Sequence, residues 1–403
     1  MQNLAELAAV ATETAPDAIA AGLLRREHLS RLLEALRAEG YTVIGPQIHD
    51  GAIVYDHLTS VNQLPCGWID DQANGSYRIK QGSGSALFDY TVGPHSWKQF
   101  LYPAHQRLIA AERLTRGFTG STDGMPDQRY AFFGVRSCDL HAIDLYDRVF
   151  LQHPYVDPNY KLRRQSCFIV AVNCGHAATT CFCASMNSGP RAKSGYDLAM
   201  TELPTGDTHR YLIEVGSQRG AEIMATVPYE TATEADLQEA EKVVANASAH
   251  MGRALDVRGL KEMLYRNFEH PMWDSIAERC LSCANCTMVC PTCFCTTVED
   301  TTDLSGSRAE RWRRWDSCFT LDFSYIHGGS IRVSTKSRFR QWMTHKLAAW
   351  SDQFGIPGCV GCGRCITWCP AGIDITAEAR AVRESEINGP CEFSRSTHDS
   401  SNP

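Results

Sequence analysis

The chain has 403 residues, enough for two or three domains of ordinary size. Apolar residues make up 43% and charged residues 21%, which is a globular balance and excludes a disordered or fibrous chain. A formal net charge of −7 gives no reason to expect polyanion binding, and no apolar run approaches the roughly 18 residues of a membrane span.

Residues 1–22 read as a flexible start. They carry no basic leader and no twin arginine, so the expectation is a cytoplasmic protein. From Leu23 to Ala38 the run LLRREHLSRLLEALRA sets Leu24, Leu29, Leu32, Leu33 and Leu36 near one helical face, and Gly40 ends that helix. Strands are expected at Tyr41–Ile44, Ala52–Tyr55, Tyr77–Ile79, Tyr130–Val135, Phe168–Val172 and Tyr211–Val215, with Gly, Ser and Asn clusters between them. Asp139–Phe150 suits a helix. The alternation predicts an α/β domain over residues 23–230. Thr233–Leu264 is polar and helical, and residues 231–271 read as a helical linker.

Beyond the linker the chain repeats one cysteine grammar. Cys280, Cys283, Cys286 and Cys290 precede Pro291; Cys359, Cys362, Cys365 and Cys369 precede Pro370. Both segments read C-x2-C-x2-C-x3-C-P, the ligand run of two-cluster ferredoxins. Three thiolates at this pitch wrap one iron–sulfur cube, and the fourth commonly reaches the other cube. The expected sets are therefore crossed: Cys280, Cys283, Cys286 and Cys369 on one [4Fe-4S] cluster, Cys359, Cys362, Cys365 and Cys290 on the other. A zinc reading explains the C-x2-C steps but leaves half of each run unused. The expected architecture is an α/β N-terminal domain plus an α+β ferredoxin-like dicluster domain over residues 272–380. An insertion at 296–357 separates the two cluster motifs, and a disordered tail at 381–403 holds Cys391 as an incidental thiol.

The chain has 18 cysteines, so ten lie outside these motifs. In an unexported protein they are not expected to form disulfides. Cys66 and Cys167 stand alone and read as small buried hydrophobes. Cys174, Cys181 and Cys183 follow a strand in a small-residue loop, and Cys138 follows another strand end. Strand ends of an α/β sheet meet at one edge, where sites form. These four are candidate ligands of a third cluster, with reduced structural thiols or a redox-active C-x-C pair as the alternatives. Cys293, Cys295 and Cys318 could complete or replace that set. His95 and Lys98 sit in a turn and read as ordinary surface or packing residues.

The insertion is locally basic and aromatic. Arg308, Arg311, Arg313, Arg314, Arg332, Lys336, Arg338, Arg340 and Lys346 face only Glu310, Asp316 and Asp322, and Trp312, Trp315 and Trp342 interleave with them. The whole-chain charge argues against a nucleic-acid face, so offsetting cluster charge or docking a partner is the better reading. No G-x-G-x-x-G follows a strand and no hydrolytic grouping is evident.

Several stretches together carry a family resemblance. They are GPHSWKQFLYP (93–103), FFGVRSCDLHAID (132–144), NC…CFCASMNSGP (173–190), CLSCANCTMVCPTCFC (280–295), RWDSCF (314–319) and CVGCGRCITWCP (359–370). In this order the chain resembles the iron–sulfur beta subunits of cytoplasmic sulfhydrogenases, a family that also includes an iron–sulfur component of the anaerobic sulfite reductase. The resemblance implies a non-catalytic subunit that carries electrons between a flavin- and NAD(P)H-binding subunit and a hydrogenase or sulfite reductase catalytic subunit. A self-contained enzyme with a substrate site near Cys138, Cys174 and Cys181 is the rival reading.

Overall fold

The computed structural model describes residues 21–122, 128–152, 154–203 and 209–388. The expected flexible start up to residue 20, and Cys391 with the tail from residue 389, lie outside the described residues.

The main sheet has eight strands: β1 (Gly22–Arg25), β2 (Tyr41–His49), β3 (Ala52–His57), β8 (Arg129–Val135), β9 (Phe168–Val172), β10 (Leu198–Leu203), β11 (Arg210–Val215) and β12 (Glu230–Thr231). Their order is β12-β1-β11-β10-β9-β8-β2-β3. The central strands β10, β9, β8 and β2 run parallel, and antiparallel strands flank them. β9, sequence FIVAV, is buried along its whole length, as a parallel strand covered on both faces must be. One face carries Val43, Phe133, Val170, Met200 and Ile213 under helix α1 (Leu29–Ala38), which buries Leu29, Leu32, Leu33 and Leu36. The opposite face carries Ile44, Phe132, Ile169 and Ala199 under α3 (Ser137–Leu151), through Leu140, Ile143 and Tyr146. A short helix α2 (Lys98–Leu101), α4 (Pro158–Gln165) and α5 (Gln218–Met224) complete this α/β unit, and the hairpin β4 (Trp68–Ala73) and β5 (Ser76–Gln81) stands apart from the sheet.

The helix expected over residues 23–38 is shorter. Gly22–Arg25 is a strand paired with β11, and the α-helix begins at Leu29 after a 3₁₀ turn. Local periodicity favoured helix; a partner almost two hundred residues away in sequence supplied the ladder bonds that overrode it. The stretch 231–271 is not a free connection either. Helix α6 (Glu234–Ala249), started by a Thr233–Asp236 capping box, packs Ala240 against Leu23, Leu203 and Leu212. Helix α7 (Leu260–Arg266) sends Leu260, Met263 and Leu264 into the second core with Trp273, Phe339 and Trp342. The expected tail starts late, because α13 (Ile375–Asn388) continues through residue 388 and buries Val382.

The insertion is integrated into the fold. Its first half forms β13 (Thr296–Thr302) and β14 (Arg308–Trp315), and β14 pairs with β6 (His105–Arg113) of the N-terminal half. With β7 (Phe118–Ser121) they make a four-stranded sheet in the order β13-β14-β6-β7. Its second half holds the small hairpin β15 (Tyr325–Ile326) and β16 (Gly329–Ser330), helix α10 (Thr335–Thr344), a π-helical turn at His345–Ala349, and α11 (Trp350–Phe354). The basic surface read from sequence is largely neutralised. Asp300 and Glu299 on β13 pair with Arg311 and Arg314, while Asp157, Asp274 and Glu269 from outside the insertion take Arg313, Lys336 and Arg340. Trp342 is buried and Trp312 stacks on His105 with ring centroids 4.3 Å apart. Trp315 is half-buried, with its indole N–H donating to the Tyr102 carbonyl oxygen at 2.8 Å.

Candidate metal centres

The two C-x2-C-x2-C loops share one backbone shape. In the first, preceded by α8 (Met272–Arg279) and followed by α9 (Asn285–Met288), Ser282 and Ala284 take left-handed φ of 51° and 66°. In the second, before α12 (Arg364–Thr367), Gly361 and Gly363 stand at the same offsets with φ of 64° and 77°. Each loop turns a backbone N–H onto its first sulfur: Ser282 N to Cys280 Sγ and Gly361 N to Cys359 Sγ, both 3.4 Å. The second loop needs glycine for a further reason. A Cβ at Gly361 would lie 2.6 Å from the Phe182 carbonyl oxygen, and one at Gly363 would lie 2.5 Å from that of Thr180. The loop is pressed directly against the Thr180–Cys183 segment.

Three groups of thiols result. Cys280, Cys283, Cys286 and Cys369 line one hollow, walled by Ala284, Phe319, Phe339, Trp342 and Ile373, with Cys365 at its inner side. Cys283 is exposed there. Burial pushes the Cys286 thiol well up, and the adjacent thiols of Cys280, Cys369 and Cys283 push it further. Cys359, Cys362, Cys365 and Cys290 form the second group. Burial again drives the Cys365 thiol far up, and Cys359, Cys362 and Cys290 add to it. Such mutual disfavour of thiolates is what a bound cation cluster relieves. Cys369 lines the first hollow with Cys280, Cys283 and Cys286, and Cys290 is among the charged neighbours of Cys365.

The third group unites the strand-end cysteines. Cys138 at the start of α3, and Cys174, Cys181 and Cys183 in the loop after β9, line one small, mainly apolar cavity with Val92, Ala177, Pro190 and Met251. Cys362 of the second group closes one side of that cavity. The buried Arg136 lies beside Cys174 and opposes the upward push that burial gives this thiol. Cys293, Cys295 and Cys318 do not join this set. Cys293 neighbours Cys290, and Cys295 pairs with Cys318, whose hydrogen bond holds the Cys295 thiol down to about 7. Cys167 is fully buried, and Cys66 accepts a hydrogen bond from Arg26 at 3.0 Å. Among the described residues no three His, Cys, Asp or Glu side chains gather as a single metal ion would require. All-sulfur donor sets favour iron–sulfur clusters.

The surrounding charges were hidden in the sequence. Arg364, inside the second motif, is fully buried and makes a two-pronged pair with Asp139, at 2.9 Å for each contact. Lys98 is buried, donates to the carbonyls of Cys290 and Cys293 at 3.2 Å each, and lies 3.8 Å above the Trp315 ring. It is not a surface residue. Lys346, one of the insertion's cations expected to offset cluster charge or to dock a partner, donates to Cys290 Sγ at 3.3 Å from the π-helical turn. Position within a ligand motif could have flagged Arg364; nothing local marked the two lysines.

Residues 279–373 match the model of the 4Fe-4S dicluster domain. The chain is 31% identical to the sulfhydrogenase 2 subunit beta of Pyrococcus furiosus over 367 residues, covering 90% of this chain and 98% of that relative. The chain belongs to the sulfhydrogenase beta-subunit family. No solved structure matches it. In this family member the dicluster match spans all eight motif cysteines, which supports two [4Fe-4S] clusters, and leaves the Cys138 group outside.

The crossed sets make a direct prediction for this beta-subunit relative. Cys290→Ser should disturb the paramagnetic signal that Cys359→Ser also disturbs, and Cys369→Ser the signal shared with Cys283→Ser. Low-temperature electron paramagnetic resonance of the reduced variants reads this out. Pairing of Cys290→Ser with Cys283→Ser would mean two independent, uncrossed motifs.

Proposed function

We propose that the chain is the electron-transfer subunit of a multi-subunit oxidoreductase, linking a flavin- and NAD(P)H-binding subunit to a catalytic subunit in the cytoplasm. A hydrogenase is favoured by the relative's name, and a sulfite reductase is the alternative within the family. The eight motif cysteines hold two [4Fe-4S] clusters in crossed sets, and Cys138, Cys174, Cys181 and Cys183 hold a third. When bound, such clusters supply one-electron storage at each site.

The observation that carries this reading is contiguity. Cys365 stands in the wall of the first hollow and Cys362 in the wall of the third cavity, so the second group touches both. Apolar side chains surround most of the sulfurs, and the ion pair of Arg364 with Asp139 locks the second loop to α3. Among the described residues no helix is long and apolar enough to cross a membrane.

The partner meets the chain at the rim of the first site. Cys283 is exposed, and Leu281, Ile331 and Val333 beside it are 68%, 62% and 68% exposed. Ser282 contacts Thr335 at 3.1 Å, which brings the two exposed segments together. The double variant Leu281→Glu, Val333→Glu should weaken recovery of partner subunits by about tenfold or more while leaving iron content unchanged. Unchanged recovery would move the docking face elsewhere.

The function is tested with anaerobically purified chain. Chemically reduced, it should pass electrons on when a flavin or catalytic subunit is added. Robust NAD(P)H-dependent reduction by the chain alone, without added flavoprotein, would overturn the reading in favour of a self-contained enzyme.

A further inference from the structure

The second thiol group is more deeply buried than the first, and a buried cation touches it. Lys346 is 4% exposed. Its Nζ lies 3.3 Å from Cys290 Sγ, 2.7 Å from Thr292 Oγ1 and 3.0 Å from the Gly358 carbonyl oxygen. An ammonium has three donors, and all three are used, so the charge is fixed in place. Two of its acceptors adjoin ligand positions as well: Thr292 contacts Cys290 Sγ at 3.2 Å, and Gly358 precedes Cys359. The π-helical turn at His345–Ala349 sets this lysine where a regular helix would not, and such turns recur at functional positions. Lys98 adds a second buried cation against the carbonyls of Cys290 and Cys293.

Other charges near this group do not offset the lysines. Arg364 and Asp139 cancel one another. The first group is lined by Leu281, Phe319, Phe339, Trp342 and Ile373. Arg338 reaches Ser282 Oγ at 3.4 Å, not a sulfur. Backbone donation to sulfur is similar in both groups: Ser282 N to Cys280 and Ile373 N to Cys369 in the first, Gly361 N to Cys359 in the second, each at 3.4 Å. Besides burial, the ammonium held on Cys290 Sγ distinguishes the second group.

Reduction adds one negative charge to a site. A cation held against a ligand in a buried, poorly screened place stabilises that added charge. We propose that Lys346 raises the reduction potential of the site formed by Cys290, Cys359, Cys362 and Cys365 above that of the site formed by Cys280, Cys283, Cys286 and Cys369, so the middle site holds the electron. This rests on the cluster assignment proposed above, and Lys346 acts as a positioning residue through Cys290.

Redox titration of the full chain, followed by electron paramagnetic resonance, tests it. Signals are assigned to sites with Cys283→Ser and Cys362→Ser. In the unaltered chain the signal assigned through Cys362 should titrate at the higher potential. Lys346→Met should shift that midpoint downward and leave the other unmoved, and Lys346→Arg should restore most of it. The reverse order in the unaltered chain, or equal midpoints, would overturn the proposal even if Lys346→Met failed to fold. So would a Lys346→Met chain with full iron content and an unshifted midpoint. Absence of iron–sulfur absorbance in the unaltered chain would instead sink the cluster assignment itself.

Discussion

Changing Cys181 to serine should lower the iron content of anaerobically purified protein from about twelve to about eight atoms per chain, the loss of one four-iron cluster. Cys138, Cys174, Cys181 and Cys183 line one small cavity. Burial pushes all four thiols above their ordinary range, so four reduced thiols here gain nothing from ionisation without a bound cationic group. The two motif sites should keep their signals in this variant, because the Cys181 thiol belongs to neither. Iron and sulfide analysis, with the visible spectrum, decides the matter. An unaltered chain that carries about eight iron atoms, and a Cys181→Ser variant that carries the same, would make the group structural.

Asp139→Ala should destabilise the protein by about 3–5 kcal/mol, the usual cost of leaving one partner of a buried ion pair alone. Arg364 and Asp139 are 0% and 1% exposed, and the pair joins the dicluster loop to α3, which starts at Ser137. The double variant Asp139→Leu, Arg364→Met removes both charges and should recover most of that loss, because apolar replacement of a whole buried pair is often neutral. Denaturant unfolding followed by tryptophan fluorescence measures both. A single variant as stable as the parent would mean that the carboxylate does not compensate the guanidinium in the folded chain.

The parts of this fold legible from sequence were those written in local pattern. Phe168–Val172 read as a buried strand and is one, since its apolar run has no other stable fate. The paired motifs were legible because covalent spacing alone brings three thiols round one point. The strand-end rule drew Cys138, Cys174, Cys181 and Cys183 together from their order along the chain, because parallel strands deliver their following loops to one edge. What escaped was non-local. Leu23–Arg25 looked helical, and its pairing with β11 cannot be read from the run itself. Arg311 and Arg314 looked free because Asp300 and Glu299 become their neighbours only once a hairpin folds. Lys98 read as an ordinary surface or packing residue, and Lys346 as one of many insertion cations; burial of a lysine is so costly that sequence reasoning rightly defaults against it. Thiols and carbonyls from distant segments made the exception here.

The pairing of β14 with β6 bears on how the molecule is made. During synthesis β6 leaves the ribosome long before β14, and until then it offers an unpaired edge to any passing strand. The N-terminal half cannot finish itself, and a cut between the halves would expose that edge permanently. The insertion therefore works as a molecular latch: the two cysteine motifs are brought to the α/β unit by a strand that this unit has kept open for them. Nascent chains stalled before Arg308 should be the form most prone to self-association, and the shortest lengths that escape it should be those in which β14 has emerged.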